Sequence, residues 1–232
     1  MARSSTSTIA LAVLIGIFAV VDASAGTCPE QVGPTQELGD SFGAGMSTGH
    51  DQAQTFTVTQ AGRIEAVEFM GGTLYSYQLQ YPTSPLFADL RPVENGVPVE
   101  PNSSALVSLQ IPLSALPLEV TPQFRPWYRI EFGDQGPMVQ PGQSLALVLR
   151  VDESGTYSVG WRGRFESVPA DAYAGGRMYT RQTPNGTWFT LDGQPDIYFG
   201  PRNQDFAIRV VMCQPAVAAT PTTWGRVKSR YD

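Results

Sequence analysis

One histidine and two cysteines in 232 residues leave little material for a zinc centre, because a tetrahedral nitrogen and sulfur site needs four ligands. Lys and Arg number 15 against 21 Asp and Glu, a formal net charge of −6. No basic stripe is present to neutralise phosphates, which argues against nucleic-acid binding. Charged residues reach only 16%, yet hydrophobic residues make up 42%, so the chain is not the apolar-poor polymer that stays disordered. After residue 25 no apolar run approaches the roughly 20 residues that span a bilayer. Also missing is any long stretch with apolar residues at helical spacing. The 23 Gly and 19 Pro are scattered without a three-residue period, which predicts many turns and no collagen helix.

The ends carry the clearest address. Arg3, the apolar run Ile9 to Val21 and then Ala23, Ser24 and Ala25 follow one another as the n-region, h-region and A-x-A site of a signal peptide over 1–25. A run of about 13 residues is short for a membrane anchor. The chain is therefore expected to be secreted, to the extracellular space, the periplasm or the cell surface. Cleavage leaves no transmembrane segment and the same net charge. An exported chain meets oxidising conditions, and Cys28 and Cys213 bracket its body, so they are expected to form a disulfide. After Cys213 the composition shifts to Pro, Ala and Thr, as in an extended linker, and the tail ends with Arg226, Lys228 and Arg230. Residues 214–232 read either as an attachment address or as a frayed terminus.

Within 26–213 the apolar residues recur at a period of two in short runs bounded by turn residues. Runs begin at Thr55, Ile64, Tyr75, Leu86, Leu106, Trp127, Leu145, Tyr157, Trp188, Ile197 and Phe206, with Gly71-Gly72 separating two of them. Asn95-Gly96, Asn185-Gly186, Pro141-Gly142 and Asp192-Gly193 supply the turns. The expectation is an all-β fold, a single jelly-roll-like antiparallel sandwich of two sheets. Leu145 to Val151 is apolar on both faces and is placed centrally, with the last strand, Phe206 to Met212, as its expected neighbour. An immunoglobulin-like sandwich is the rival, disfavoured because its cysteines sit mid-domain around a buried Trp.

Several segments carry a family resemblance: Ala53 to Val58, Gln60 to Ile64, Gln140 to Leu149, Tyr173 to Gly176, Asn185 to Trp188 and Asp205 to Arg209. Over about residues 53 to 212 the chain resembles bacterial secreted jelly-roll domains similar to carbohydrate-binding modules and galactose-binding-like sandwiches. Such domains occur attached to exported proteins or alone at the surface. The prolines of Gln110 to Pro126 mark a loop longer than this resemblance implies.

Three kinds of chemistry compete for the polar residues. His50 stands beside Asp51, but a catalytic triad needs an imidazole held between two partners, and a loop-packing histidine is the plainer reading. Glu65, Glu68, Glu131 and Asp134 fall on strand faces and turns, where solvated carboxylates are ordinary. The chain is accordingly expected to be non-catalytic. A structural calcium ion is the one cofactor considered. Its candidate ligands are Asp192, Asp196, Asn203 and Asp205, with Asp171 as an addition, because hard oxygen ligands from loops hold this ion; turn carboxylates that cap backbone groups are the alternative.

Binding is the preferred reading. Trp161, Tyr173, Tyr179 and Trp188 lie near Arg162, Arg164, Arg177 and Arg181, and aromatic faces beside polar edges suit a sugar ring. The candidate ligand set is Trp161, Tyr173, Tyr179, Trp188 and Arg177. Tyr75, Tyr77 and Tyr81 share one strand face and are equally readable as core. The expected partner is a polysaccharide or cell-surface component. The other reading is a structural or interaction component of an envelope or extracellular matrix without a small ligand.

Overall fold

In the computed structural model the residues described are 30–32, 41–46, 50–74, 85–119, 126–151, 159–171, 173–182, 186–190, 192–193, 195–196 and 200–213. The period-two segments are strands. In chain order they are β1 (Glu30–Val32), β2 (Ser41–Met46), β3 (His50–Thr57), β4 (Gly62–Leu74), β5 (Leu86–Glu94), β6 (Val97–Pro98), β7 (Val107–Ile111) and β8 (Leu118–Glu119). Then come β9 (Trp127–Glu131), β10 (Met138–Val139), β11 (Ser144–Val151), β12 (Val159–Ser167), β13 (Met178–Gln182), β14 (Pro195–Asp196), β15 (Gly200–Phe206) and β16 (Ile208–Cys213). Among the described residues no helix is long and apolar enough to cross a membrane.

Two sheets pack face to face. The larger runs β1-β16-β4-β12-β15-β14, with β2 on β12 and with β8, β9 and β10 on β4; the smaller runs β13-β3-β11-β5-β6, with β7 on β5. All pairings are antiparallel except β4 with β8. Phe56, Leu90, Leu145, Leu147 and Leu149 of the smaller sheet meet Val67, Phe69, Trp161, Phe206 and Ile208 of the larger in one buried cluster. Burial of such side chains is the main favourable term in folding. The expected all-β sandwich of two antiparallel sheets is what the chain forms.

Two neighbour relations differ from expectation. The strand β11 lies between β3 and β5, whereas the last strand, β16, lies between β1 and β4 in the opposite sheet. Both strands are buried on two faces, and a period of two says nothing about which buried strands adjoin. Gly71-Gly72 is not a turn either, because β4 runs straight through it. A Cβ on Gly71 would stand 2.0 Å from the Gly160 carbonyl oxygen, and one on Gly72 would stand 2.1 Å from that of Pro117. These glycines mark close backbone approach rather than chain reversal.

The hairpin signals hold where they are described. Asn95 and Gly96 both have positive φ, 53° and 82°, as the tight turn between β5 and β6 requires. Strand β1 pairs with β16 so that Glu30 faces Val211 and Val32 faces Arg209. Cys28 itself lies outside the described residues, and no described cysteine is free. Thiol titration of the native protein without reductant is expected to find no reactive thiol. Two reactive thiols would overturn the pairing.

Candidate functional site

Alternation on β3 turns Phe56 toward the core and Asp51, Ala53, Thr55 and Thr57 away from it. The register sets Thr57 against Ser144, Thr55 against Ala146 and Ala53 against Val148. It also sets Ala146 against Arg91 and Val148 against Asp89, and on the other side Tyr179 against Ala53 and Arg181 against Asp51. The outward face of the smaller sheet therefore changes character along its strands. A small apolar patch of Ala53, Ala146, Val148 and Tyr179 lies in the middle, with Val93, Val97 and Trp188 packed on it.

One end of this face is ionic and sealed. Arg181 donates to Asp51 Oδ2 from Nε at 2.8 Å and from Nη2 at 2.6 Å. Arg91 donates from Nη2 to Asp89 Oδ2 and to Asn102 Oδ1, both at 2.7 Å. Asn102 Oδ1 also accepts from Arg181 at 2.8 Å, and Glu100 pairs with both arginines. Arg150 Nε reaches Asp89 Oδ2 at 3.3 Å, and the Ser108 hydroxyl reaches Oδ1 at 2.5 Å. Three guanidinium groups thus balance three carboxylates, which is the condition under which buried charge is tolerable. Burial raises the Asp51 carboxyl above its ordinary value against the pull of Arg181. This lattice ties the segment after β6 to the sheet.

The other end is open. It forms a cleft of about 300 Å³ lined by Thr55, Thr57, Val93, Asn95, Gly96, Ser144, Tyr179 and the Ala174 to Arg177 segment, at the lower end of the size range of small-molecule sites. The Thr57 and Ser144 hydroxyls lie 3.0 Å apart on its floor. One wall is the Asn95-Gly96 turn. The opposite wall is pinned to β3: Thr55 N–H donates to the Arg177 carbonyl at 3.0 Å, and Arg177 N–H donates to Thr55 Oγ1 at 2.8 Å. Gly176 permits this closeness, since a Cβ there would stand 1.8 Å from the Thr55 carbonyl oxygen. The Arg177 side chain, 54% exposed, is held through Nε by Asp192 Oδ2 at 2.8 Å.

Behind that wall lie three carboxyl groups. Asp205 is 2% exposed. Its Oδ1 accepts from Gln54 Nε2 at 3.0 Å, and the Gln54 oxygen in turn accepts from Phe206 N–H at 2.7 Å. Desolvation, joined by a hydrogen bond with Asp171 and the charges of Asp171 and Asp192, pushes the Asp205 carboxyl up to about 8 against the pull of Gln54. Protonated, Asp205 is placed to donate toward Asp171. Asp171 Oδ1 accepts from Tyr173 N–H at 2.9 Å, and Asp192 Oδ1 accepts from Gln204 N–H at 2.7 Å. Burial raises the Asp192 carboxyl as well.

The structure sorts the sequence candidates. Tyr179 and Arg177 line the cleft, and Tyr173, half-buried, lies against Gly175 and Gly176 of its wall. Trp188 packs on the apolar patch with the Arg181 guanidinium 4.7 Å above its ring. Trp161 belongs to the core and offers no face to a ligand. It is 0% exposed, stacks on Phe206 at 4.5 Å, and donates from its indole nitrogen to the Ala207 carbonyl at 3.0 Å.

Of the calcium candidates, Asp171, Asp192 and Asp205 come together. Asn203 instead donates its amide to the Ala170 carbonyl at 2.7 Å, and the Asp196 side chain lies outside the described residues. Among the described residues no group of three or more His, Cys, Asp or Glu side chains is placed to hold a metal ion. Asp51 is committed to Arg181, so the His50-Asp51 pair builds no triad. Glu68 and Glu131 pair with Arg129, and Asp134 with Arg63, on the outside of the larger sheet. Tyr75, Tyr77 and Tyr81 and residues 1–25 and 214–232 lie outside the described residues.

Sequence reasoning missed Thr55, Thr57, Ser144 and Asn95. The signal was available: three hydroxyl residues occupy outward positions at one end of two strands, next to the apolar outward residues Ala53, Ala146 and Val148 and away from the charged Asp51 and Arg150. No protein-family model matches the chain, and no curated protein matches it.

Proposed function

We propose that this protein is a secreted, non-catalytic binding module for carbohydrate at a surface, and that the cleft on the outward face of its smaller sheet is the binding site. The observation that carries this reading is the composition of the cleft. Two facing hydroxyls, a turn asparagine, backbone edges exposed by glycine and the rim of the buried Tyr179 surround a space suited to a small polar ligand. Charged groups that would drive acid-base chemistry are spent elsewhere, in the ionic lattice and behind the wall.

Removing the floor hydroxyls by Thr57→Val with Ser144→Ala is expected to weaken retention on a bound polysaccharide about tenfold. Two hydrogen bonds of about 0.5–1.5 kcal/mol each are lost, while the fold is kept. The measurement is affinity electrophoresis of wild type and variant over a panel of soluble neutral and acidic polysaccharides. Wild type that migrates freely through every gel would overturn the binding reading and favour a packed structural role.

A further inference from the structure

Among the described residues Arg177 is the one charged residue that lines the cleft, and none of the described lining residues is a carboxylate. Its backbone is locked on β3 from both sides, by Thr55 N–H to its carbonyl and by its own N–H to the Thr55 hydroxyl. Asp192 takes its side chain at Nε, and Asp192 is itself fixed by the Gln204 N–H. Among the described residues Arg177 has no second carboxylate partner, and its side chain remains 54% exposed. A guanidinium anchored through Nε still presents the paired N–H groups of its two terminal nitrogens, and that planar fork matches a carboxylate.

Long-range attraction does not supply this preference. With a net charge of −6 the protein repels polyanions at a distance, so selectivity for an acidic ligand has to be made by contact. Apart from Asp192, which holds Nε from behind, the described groups that share the cleft with Arg177 are neutral: the Tyr179 hydroxyl, the Thr57 and Ser144 hydroxyls and the Asn95 amide.

Resting on the saccharide-binding reading above, we propose that the cleft takes an acidic sugar unit, a uronic acid residue. Its carboxylate is received by the terminal nitrogens of Arg177 and its hydroxyls by Thr57, Ser144, Asn95 and the Tyr179 hydroxyl, the Tyr179 ring itself being buried in the apolar patch. Asp192 acts as a positioning residue. It aims the guanidinium without occupying the fork.

The test uses the full chain and pairs of ligands that differ only in charge: polygalacturonate, alginate and hyaluronan, each beside its methyl-esterified form, with neutral galactan and xylan. Titration calorimetry is expected to show one free acid bound at least about tenfold more tightly than its ester, as a charge-assisted pair of about 1.5–3 kcal/mol requires. Arg177→Gln is expected to bring free acid and ester to equal affinity, with an unchanged melting temperature showing that the fold persists. Arg177→Lys, which keeps the charge but not the fork, is expected to fall between. Equal binding of acid and ester, or of a neutral polysaccharide alone, overturns the acidic specificity and leaves the binding-module reading standing. Binding of none overturns both.

Discussion

Between the ordinary carboxyl value of 3.8 and about 8, stability is expected to fall as the pH rises, with a slope near −1.4 kcal/mol per pH unit from Asp205 alone. In this window the folded protein keeps the Asp205 proton and the unfolded chain has released it. The native state binds more protons, so each step upward in pH favours unfolding. The contribution is fully present below the unfolded value and is gone once the pH passes the folded value. Asp51 and Asp192, also raised by burial, add slopes of the same sign. The groups that hold Asp205 are Gln54 from β3, the carboxylates of Asp171 and Asp192, and Arg177 acting through Asp192. Arg164 stands opposite Asp205 in the register and is paired with Glu166.

Asp205→Asn keeps the shape and accepts from Gln54 with its oxygen while its amide faces Asp171. It is expected to flatten the pH dependence and to be more stable than wild type above about pH 8. Urea unfolding of both proteins across this range measures the difference directly. Parallel curves for the two would show that Asp205 is already ionised in the folded state.

The second large effect belongs to the ionic lattice. The side chains of Arg91 and Asp89 are 0% and 1% exposed. Arg91→Met is expected to cost about 3–5 kcal/mol, because it leaves the buried Asp89 facing Arg150 alone, while the exposed Glu100 keeps Arg181. Most of that loss is the penalty for uncompensated buried charge rather than the worth of the pair itself. Arg91→Lys, which cannot bridge Asp89, Asn102 and Glu100 together, is expected to lose somewhat less. A loss below about 1 kcal/mol for Arg91→Met, the range of exposed pairs, would mean that water reaches the lattice. Hydrogen exchange should rise at Asn95 to Asn102 in the variant, since Glu100 and Asn102 fasten that stretch to the sheet.

The sequence disclosed the parts of this architecture that local chemistry determines. Period-two alternation located the strands, and Asn95-Gly96 declared its turn because both residues must take positive φ. What stayed hidden depends on contacts between distant segments. Asp51 and Arg181 are 130 positions apart, and an outward charge on a strand looks the same in sequence whether water or a covering loop lies above it. Trp161 was misassigned through its neighbours Arg162 and Arg164, although the alternation of that strand already turned the indole inward. Arg177 and Tyr179 were singled out as an arginine close in sequence to an aromatic ring, and both line the cleft. The hydroxyls that complete the cleft come from β3 and β11, and only their register unites them.

The division of one sheet face into a sealed ionic end and an open hydroxyl end has a consequence for how such a protein diversifies. The turn that walls the cleft is cantilevered from the far end, so its rigidity is underwritten by residues that lie outside the cleft. Thr57 and Ser144 can therefore be exchanged for other polar side chains at little expense to folding, whereas the positive φ of Asn95 restricts what can replace it. A lineage built on this scaffold is free to change what it grips while the beam that holds the grip stays as it is.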